Sequence, residues 1–243
     1  MTTPVVRSSP AHLPKKRRAA AATRKSPAGN TEVRKKTPRR SLPIVLTIGH
    51  SNRSIADFLA LLKTHDVQRL VDVRTVPRSR HNPQFNRLPA QAGGALPQTL
   101  RRARIAYTHL AKLGGLRRTR LDSPNTGWNN LSFRGFADYM QTAEFAAGIA
   151  RLEKLARPGG QAKTKRCVIM CAEAVPWRCH RLLLADALTV RGYAVEHIIT
   201  PTRRNLHKLT PFARVRDRRI TYPATRATRA QALKKQSGKG AAK

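Results

Sequence analysis

Cys167 to Leu188 reads CVIMCAEAVPWRCHRLLLADAL. Its first five residues are apolar and suit a buried strand. Ala172 to Arg178 is a polar turn, and a helix opens near Cys179. The handover from strand to helix gathers Cys171, Glu173, Arg178, Cys179, His180 and Arg181 into one tight turn. Open α/β sheets bind ligands beyond the carboxyl ends of their strands, and helix N-termini favour anions. This turn is therefore the first place to look for a site.

Working outward, the same rhythm recurs. Ile44–Ile48 is an apolar, β-branched run ended by the turn Gly49–Asn52. Ser54 or Asn52 can cap a helix in which Ile55, Phe58, Leu59 and Leu62 share a face. Arg69–Val73 is a second strand, so Ile44 to Val73 predicts a parallel pair joined by a right-handed crossover. Arg74 to Gly94 lacks a regular pattern, as functional loops do. Leu96–Ala103 reads as a short helix and Ile105–Leu110 as a strand. Residues 119–132 read as a surface loop, and Phe133 to about Ala156 as helix with a break near Gln141–Thr142. Pro158–Gly160 ends that helix. Ala194–Ile199 is a last strand, with Gly192 closing the helix before it, and the run from Asn205 to Ala213 packs back on the domain. Strands alternating with helices predict a single three-layer α/β domain with a mainly parallel sheet and helices on both faces. Its expected bounds are 43–220, between disordered basic tails at 1–42 and 221–243.

Charge is the outlier: 49 Lys+Arg against 12 Asp+Glu in 243 residues, a net of +37. Residues 1–41 hold 12 basic and 1 acidic, and residues 201–243 hold 13 and 1. Residues 42–200 hold 24 and 10. Such ends attract polyanions, nucleic acid before an anionic membrane surface, without specifying a sequence. Three cysteines in no disulfide spacing point to a reducing, intracellular setting, cytoplasmic with nucleoid association open. No apolar run is long enough for membrane insertion. The acid-free first 31 residues also suit a transit peptide, and Lys15–Arg18 a nuclear signal.

Chemistry concentrates at the strand ends. Cys171, beside a helix N-terminus and arginines, suits a nucleophile or redox thiol, with Glu173 and His180 as proton carriers. The plain alternative is a small buried hydrophobe, which Cys167 is by default. Arg181 in the first helical turn suits an anion clamp or an ion pair to Asp72 or Glu173. His50, Ser51, Asp72, Arg74 and Arg80 follow the first two strands and reach the same edge if these run parallel. With Cys179 they are the candidate substrate-binding set. Phe85 and Trp128 are candidate stacking surfaces for a nucleotide. No P-loop, G-x-G-x-x-G or HExxH occurs, so no common cofactor is indicated. The Cys171–Cys179 gap is too long for a zinc knuckle, so no metal ligands are assigned. A metal set of Cys171, Cys179 and His180, with His50 as a fourth, stands as a further alternative.

The segments TIGHSNRSIADFLALLKTHDVQRLVDVRTVPRSR, YTHLAKLGGLR and CAEAVPWRCHR occur in that order. They resemble the domain-of-unknown-function 488 family over roughly Ile44 to Ile199. The matching positions are His50, Ser51, Asp72, Arg74, Pro77, Arg80, Cys171, Glu173, Pro176, Cys179, His180 and Arg181, and none is missing. The resemblance implies no reaction. The expectation from residue types is an enzyme acting on an anionic small molecule or nucleic acid, of thiol-dependent hydrolase or transferase type. A non-catalytic nucleic-acid-associated protein with non-specific tails is the alternative.

Overall fold

The computed structural model describes residues 42–89, 95–157 and 166–226. The expected N-terminal tail (but for Leu42), Gly93–Gly94, Pro158–Gly160 and the chain beyond Arg226 lie outside the described residues. Eight strands and five α-helices follow one another in these segments. They are β1 (Ile44–Gly49), α1 (Ile55–Thr64), β2 (Val67–Asp72), α2 (Leu96–Arg102), β3 (Ala106–His109), α3 (Leu131–Tyr139) and α4 (Ala143–Ala156). Then come β4 (Arg166–Cys171), α5 (Arg181–Val190), β5 (Ala194–Ile198), β6 (Arg204–Leu206), β7 (Arg214–Arg216) and β8 (Arg219–Thr221).

The main sheet has the order β3-β2-β4-β1-β5-β6 and is parallel except for β6. β7 and β8 form a separate hairpin. One correction concerns the first strand–helix–strand unit. β1 and β2 are parallel, yet β4 is inserted between them and pairs with both. The reason is burial: Cys167 to Met170 are all inaccessible, and a strand apolar on both faces belongs at the centre of a sheet.

Alternation sorts the strand residues onto two cores. Leu46, Ile48, Leu70, Val168 and Met170 pack with Phe58, Leu62, Leu96 and Leu100 from α1 and α2. Val45, Val71, Cys167 and Ile169 pack with Phe136, Phe145, Ile149 and Leu184 from α3, α4 and α5. Period two therefore puts Cys171 on the second face, the one that α5 covers. Helix starts are capped as their residue types dictate. Ser54 accepts from Asp57 N at 3.0 Å, and Thr142 accepts from Phe145 N at 3.2 Å.

The chain stays packed beyond the expected end of the domain. Tyr222, read as tail, is fully buried, and its hydroxyl donates to Asp186 at 2.8 Å. Asp186 is the end of a buried polar chain. It accepts from Thr210 N and Oγ1 and from His207 Nε2. His207 Nδ1 lies 3.1 Å from His197 Nε2, and His197 Nδ1 lies 2.8 Å from Thr47 Oγ1. Thr47 in turn receives Arg181 Nη1 at 3.3 Å. The donors of this chain can all point one way, from the Arg181 cation to the Asp186 anion.

Burial above all, then the neighbouring His207 and the Arg181 charge, pushes His197 down to about 4. The unfolded imidazole, near 6.5, takes up its proton first as the pH falls. The contribution of His197 is thus complete above 6.5 and lost between 6.5 and 4, up to ~3 kcal/mol. Urea denaturation of the wild type from pH 7 to 4.5 should show this decline, and His197→Gln should show a shallower one.

Candidate functional site

Three strand ends and two loops enclose a cavity of about 630 Å³. Ser51 follows β1, Arg74 to Val76 and Arg78 follow β2, and Cys171 to Ala174 follow β4. Gly115 and Leu116 come from the loop after β3, Ser132 and Phe133 from α3, and Arg178 to His180 from the turn before α5. The loops are pinned by continuations of the ladder. His50 N donates to Cys171 O at 3.0 Å, Ser51 N to Ala172 O at 2.8 Å and Val73 N to Met170 O at 2.9 Å. Ser51 takes φ 50, a left-handed conformation costing a non-glycine residue roughly 1–2 kcal/mol. At Gly49 any Cβ would collide with the Glu173 carbonyl, so only glycine lets the β4 loop cross β1 this closely.

One end of the cavity is a sulfur–imidazole cluster. His180 Nδ1 lies 3.6 Å from Cys179 Sγ and 3.9 Å from Cys171 Sγ. Its Nε2 lies 3.2 Å from the Val73 carbonyl, which can only accept. Nε2 therefore carries a proton, and Nδ1 faces both sulfurs. Among the described residues, these three side chains bring their ligand atoms within 4.8 Å of one another. Within the pair Cys179 is the more acidic sulfur. The adjacent Cys171 thiol, His180 and the Arg181 charge together outweigh its burial. Cys171 keeps its proton, held by its interaction with Cys179 and by burial. Cys167, inside β4, is pushed up to about 12 by burial and does not line this cavity.

The arginines divide into two kinds. Arg74 is 5% exposed and bound to Asp72 through Nε at 2.9 Å and Nη2 at 2.6 Å. Nη2 also donates to Phe85 O, and Nη1 to His50 Nε2. Four of the five N–H groups of a guanidinium are thus in use, and Arg74 reaches the cavity with what remains. Arg78 and Arg178 line the cavity and are exposed. The carboxylate in the same lining is Glu173, also exposed.

Several expected site residues sit elsewhere. His50 is buried, stacked on Phe85 at 4.3 Å, and donates from Nδ1 to Ser51 O. Burial, chiefly, and the charge of Arg74 push it down to about 4, and it holds Arg74 instead of facing the cavity. Asp72 is wholly buried behind Arg74. Arg181 is 1% exposed and spends its donors on Thr47 and the Glu173 and Ala174 carbonyls, not on Asp72 or a cavity ligand. Arg80 is exposed but outside the lining. Neither expected stacking surface is free: Phe85 is fully buried, and Trp128 packs among Phe133, Phe212 and Tyr222. The lining aromatic is the buried Phe133, and Trp177, 62% exposed, precedes the lining residue Arg178 in the chain. Gly115, Leu116, Ser132 and Phe133 were not foreseen as site residues. Only the LGG turn before Leu116 carried a signal.

Fold and site together define an α/β protein with a thiol-bearing pocket at the carboxyl ends of parallel strands. Residues 54–188, more than half of the chain, match the family described as domain of unknown function DUF488, and the chain belongs to that family. No curated protein and no solved structure matches it. No helix among the described residues is long and apolar enough to cross a membrane.

Gly115 accounts for the LGG turn. A Cβ there would lie 2.5 Å from His180 Nδ1. Gly115→Ala must therefore push the imidazole away from the sulfurs. Urea denaturation should show a loss of about 1–3 kcal/mol, the usual cost of overpacking. The His180 ring resonances should shift while those of His197 stay in place.

Proposed function

We propose that this pocket is the active site of an enzyme acting on an anionic substrate, with Cys171, Cys179 and His180 at its reacting end. The observation that carries the reading is convergence. Residues distant in sequence bring two sulfurs, an oriented imidazole and the guanidinium groups of Arg74, Arg78 and Arg178 to one cavity. Arg78 and Arg178 clamp the anion, as guanidinium groups do for phosphate and carboxylate. Glu173 is the exposed carboxylate within the same lining, placed to carry a proton. A nucleotide is a suitable substrate class, because Trp177 offers a stacking surface next to Arg178. Thiol-dependent hydrolysis or group transfer is the matching reaction type.

A second reading is favoured by the charge at the two ends of the chain. There, basic segments outside the pocket give non-specific affinity for nucleic acid in an intracellular, non-catalytic role. Binding of this kind falls steeply with salt and disappears when residues 1–41 and 224–243 are deleted.

The pocket reading is tested by calorimetric titration with pyrophosphate, nucleoside monophosphates and short single-stranded oligonucleotides, with products followed by mass spectrometry. Arg78→Ala with Arg178→Ala should weaken binding of the preferred anion by about tenfold or more at ~0.1 M salt. Unliganded stability should stay unchanged, since both side chains are exposed. Cys171→Ser should keep anion binding and abolish turnover. Binding that ignores the arginines but vanishes with the basic ends would replace the enzyme by the second reading.

A further inference from the structure

The geometry points to Cys171, Cys179 and His180 as three protein ligands of a bound Zn²⁺ ion whose fourth position opens into the cavity. This deepens the reading of the pocket as an active site and rests on it. It also departs from what the spacing of the cysteines suggested.

Distances make the first argument. A Zn–S bond of about 2.3 Å and a Zn–N bond of about 2.1 Å at a tetrahedral angle separate sulfur from nitrogen by about 3.6 Å. His180 Nδ1 stands 3.6 Å from one sulfur and 3.9 Å from the other. Separations of this size are therefore in place without rearranging the turn. All three ligand atoms lie within 4.8 Å of one another, so one ion can reach them together.

The imidazole makes the second argument. Metal-bound histidines usually donate their remaining N–H to a carbonyl or carboxylate, which fixes the tautomer and aims the lone pair. His180 has this arrangement, with Nε2 on the Val73 carbonyl and Nδ1 towards the sulfurs. Val73 is held in turn by its own N–H on Met170 O. The partner that orients the ligand thus belongs to the sheet, not to a mobile loop.

Chemistry of the donor set selects the ion. Two thiolates and one imidazole suit a borderline-soft divalent cation, and their charges cancel that of Zn²⁺. Both sulfurs bind as thiolates, and the protons they carried go to solvent. The long Cys171–Cys179 gap, which excludes a knuckle, is spanned by the end of β4 and the turn Pro176–Arg178. Sites with three protein ligands leave a position for water or substrate, and sites closed by four do not. Here the lining beyond the sulfurs carries Arg78 and Arg178, so the open position would face an anionic oxygen.

The full-length protein, without an added histidine tag, is stripped with chelator under reducing conditions. Zn²⁺ is then titrated in competition with a chromophoric chelator, and Co²⁺ is used as the spectroscopic substitute. One equivalent of metal should bind per chain, and Co²⁺ should give a thiolate-to-metal charge-transfer band in the near ultraviolet. Zn²⁺ should slow alkylation of Cys171 and Cys179, and chelator should restore it. Cys171→Ser, Cys179→Ser and His180→Gln should each cost at least the ~100-fold that loss of an outer partner can reach. Cys167→Ala serves as the control that leaves affinity unchanged. The cobalt band needs no variant, so a variant that fails to fold does not blunt the test. Sub-stoichiometric metal, affinity indifferent to these ligands, or a Cys171–Cys179 disulfide that metal cannot compete with would each overturn the inference. Anion binding is measured on the metal-free protein in parallel. Anion binding without metal binding leaves the pocket reading standing alone. Metal binding without any anion leaves only the metal site.

Discussion

The Asp72 carboxylate, without solvent access at the end of β2, is the constraint on which the rest of the site depends. It fixes Arg74 through three nitrogens and takes a fourth bond from Tyr107 on β3 at 2.8 Å. Arg74 passes that constraint on to His50 after β1 and to the carbonyl of Phe85. Its own carbonyl receives His109 Nε2, and the carbonyl one residue earlier receives His180 Nε2. Three consecutive residues thus tie together the ends of β1, β2 and β3 and the start of α5. Burial opposes the Arg74 charge, and the Asp72 bonds more than offset it. A buried pair of this kind adds little net stability over an apolar replacement. Removing one partner, though, typically costs about 3–5 kcal/mol, because the other is left charged and unpaired. Its value lies in geometry: it sets where His180 stands.

This division explains which features were legible in the sequence. The central strands were legible, since each is a short apolar run bounded by turn residues. Their order was not. Nothing between Ile44 and Val73 announces that β4, about a hundred residues later, will slide between β1 and β2. The break in the long helix was readable at Gln141–Thr142 because Thr142 caps the second half. β6, β7 and β8 are three residues each and carry no period to recognise. Within the site, residue types told where polar groups gather but not which of them face outward. His50 and Arg181 looked like ligand-facing residues, and burial made both of them supports. Burial is a tertiary property, and a strand-end histidine has the same sequence neighbours whether it lines a cavity or stacks on Phe85.

The same reasoning applies to the excess of basic residues. A net charge of +37 suggests a surface available to any polyanion, yet much of the guanidinium near the pocket is committed internally. Arg117 lies over the Tyr139 ring at 3.6 Å, and Arg134 donates twice to the Trp128 carbonyl. Arg74 and Arg181 are buried and bonded as described. What remains facing the cavity is Arg78 and Arg178, a pair from two different loops. Composition therefore overstates how much positive charge a ligand in the pocket meets. It also leaves unsaid that these two side chains line the same cavity as the sulfurs.

Two polar chains of different origin end on consecutive residues. One runs from Asp72 through the Val73 backbone to His180. The other runs from Asp186 through His207, His197 and Thr47 to Arg181, and on to the Glu173 and Ala174 carbonyls. The first aims the imidazole, and the second clamps the loop that carries Cys171. The second chain has one direction of donation, so a proton added at His197 would present an N–H where Thr47 now donates. Thr47 could then no longer serve Arg181 and His197 as it does. The grip on the Cys171 loop depends in this way on histidines that never touch the cavity. Because β1 supplies Thr47 and the Gly49 crossing, β4 supplies Cys171 and the residue after β2 holds His180, the spacing between Cys171 and the imidazole is fixed by three central strands of the sheet. A site built on the most buried strands has little freedom to drift, which is what a reaction needing a definite sulfur-to-nitrogen geometry requires.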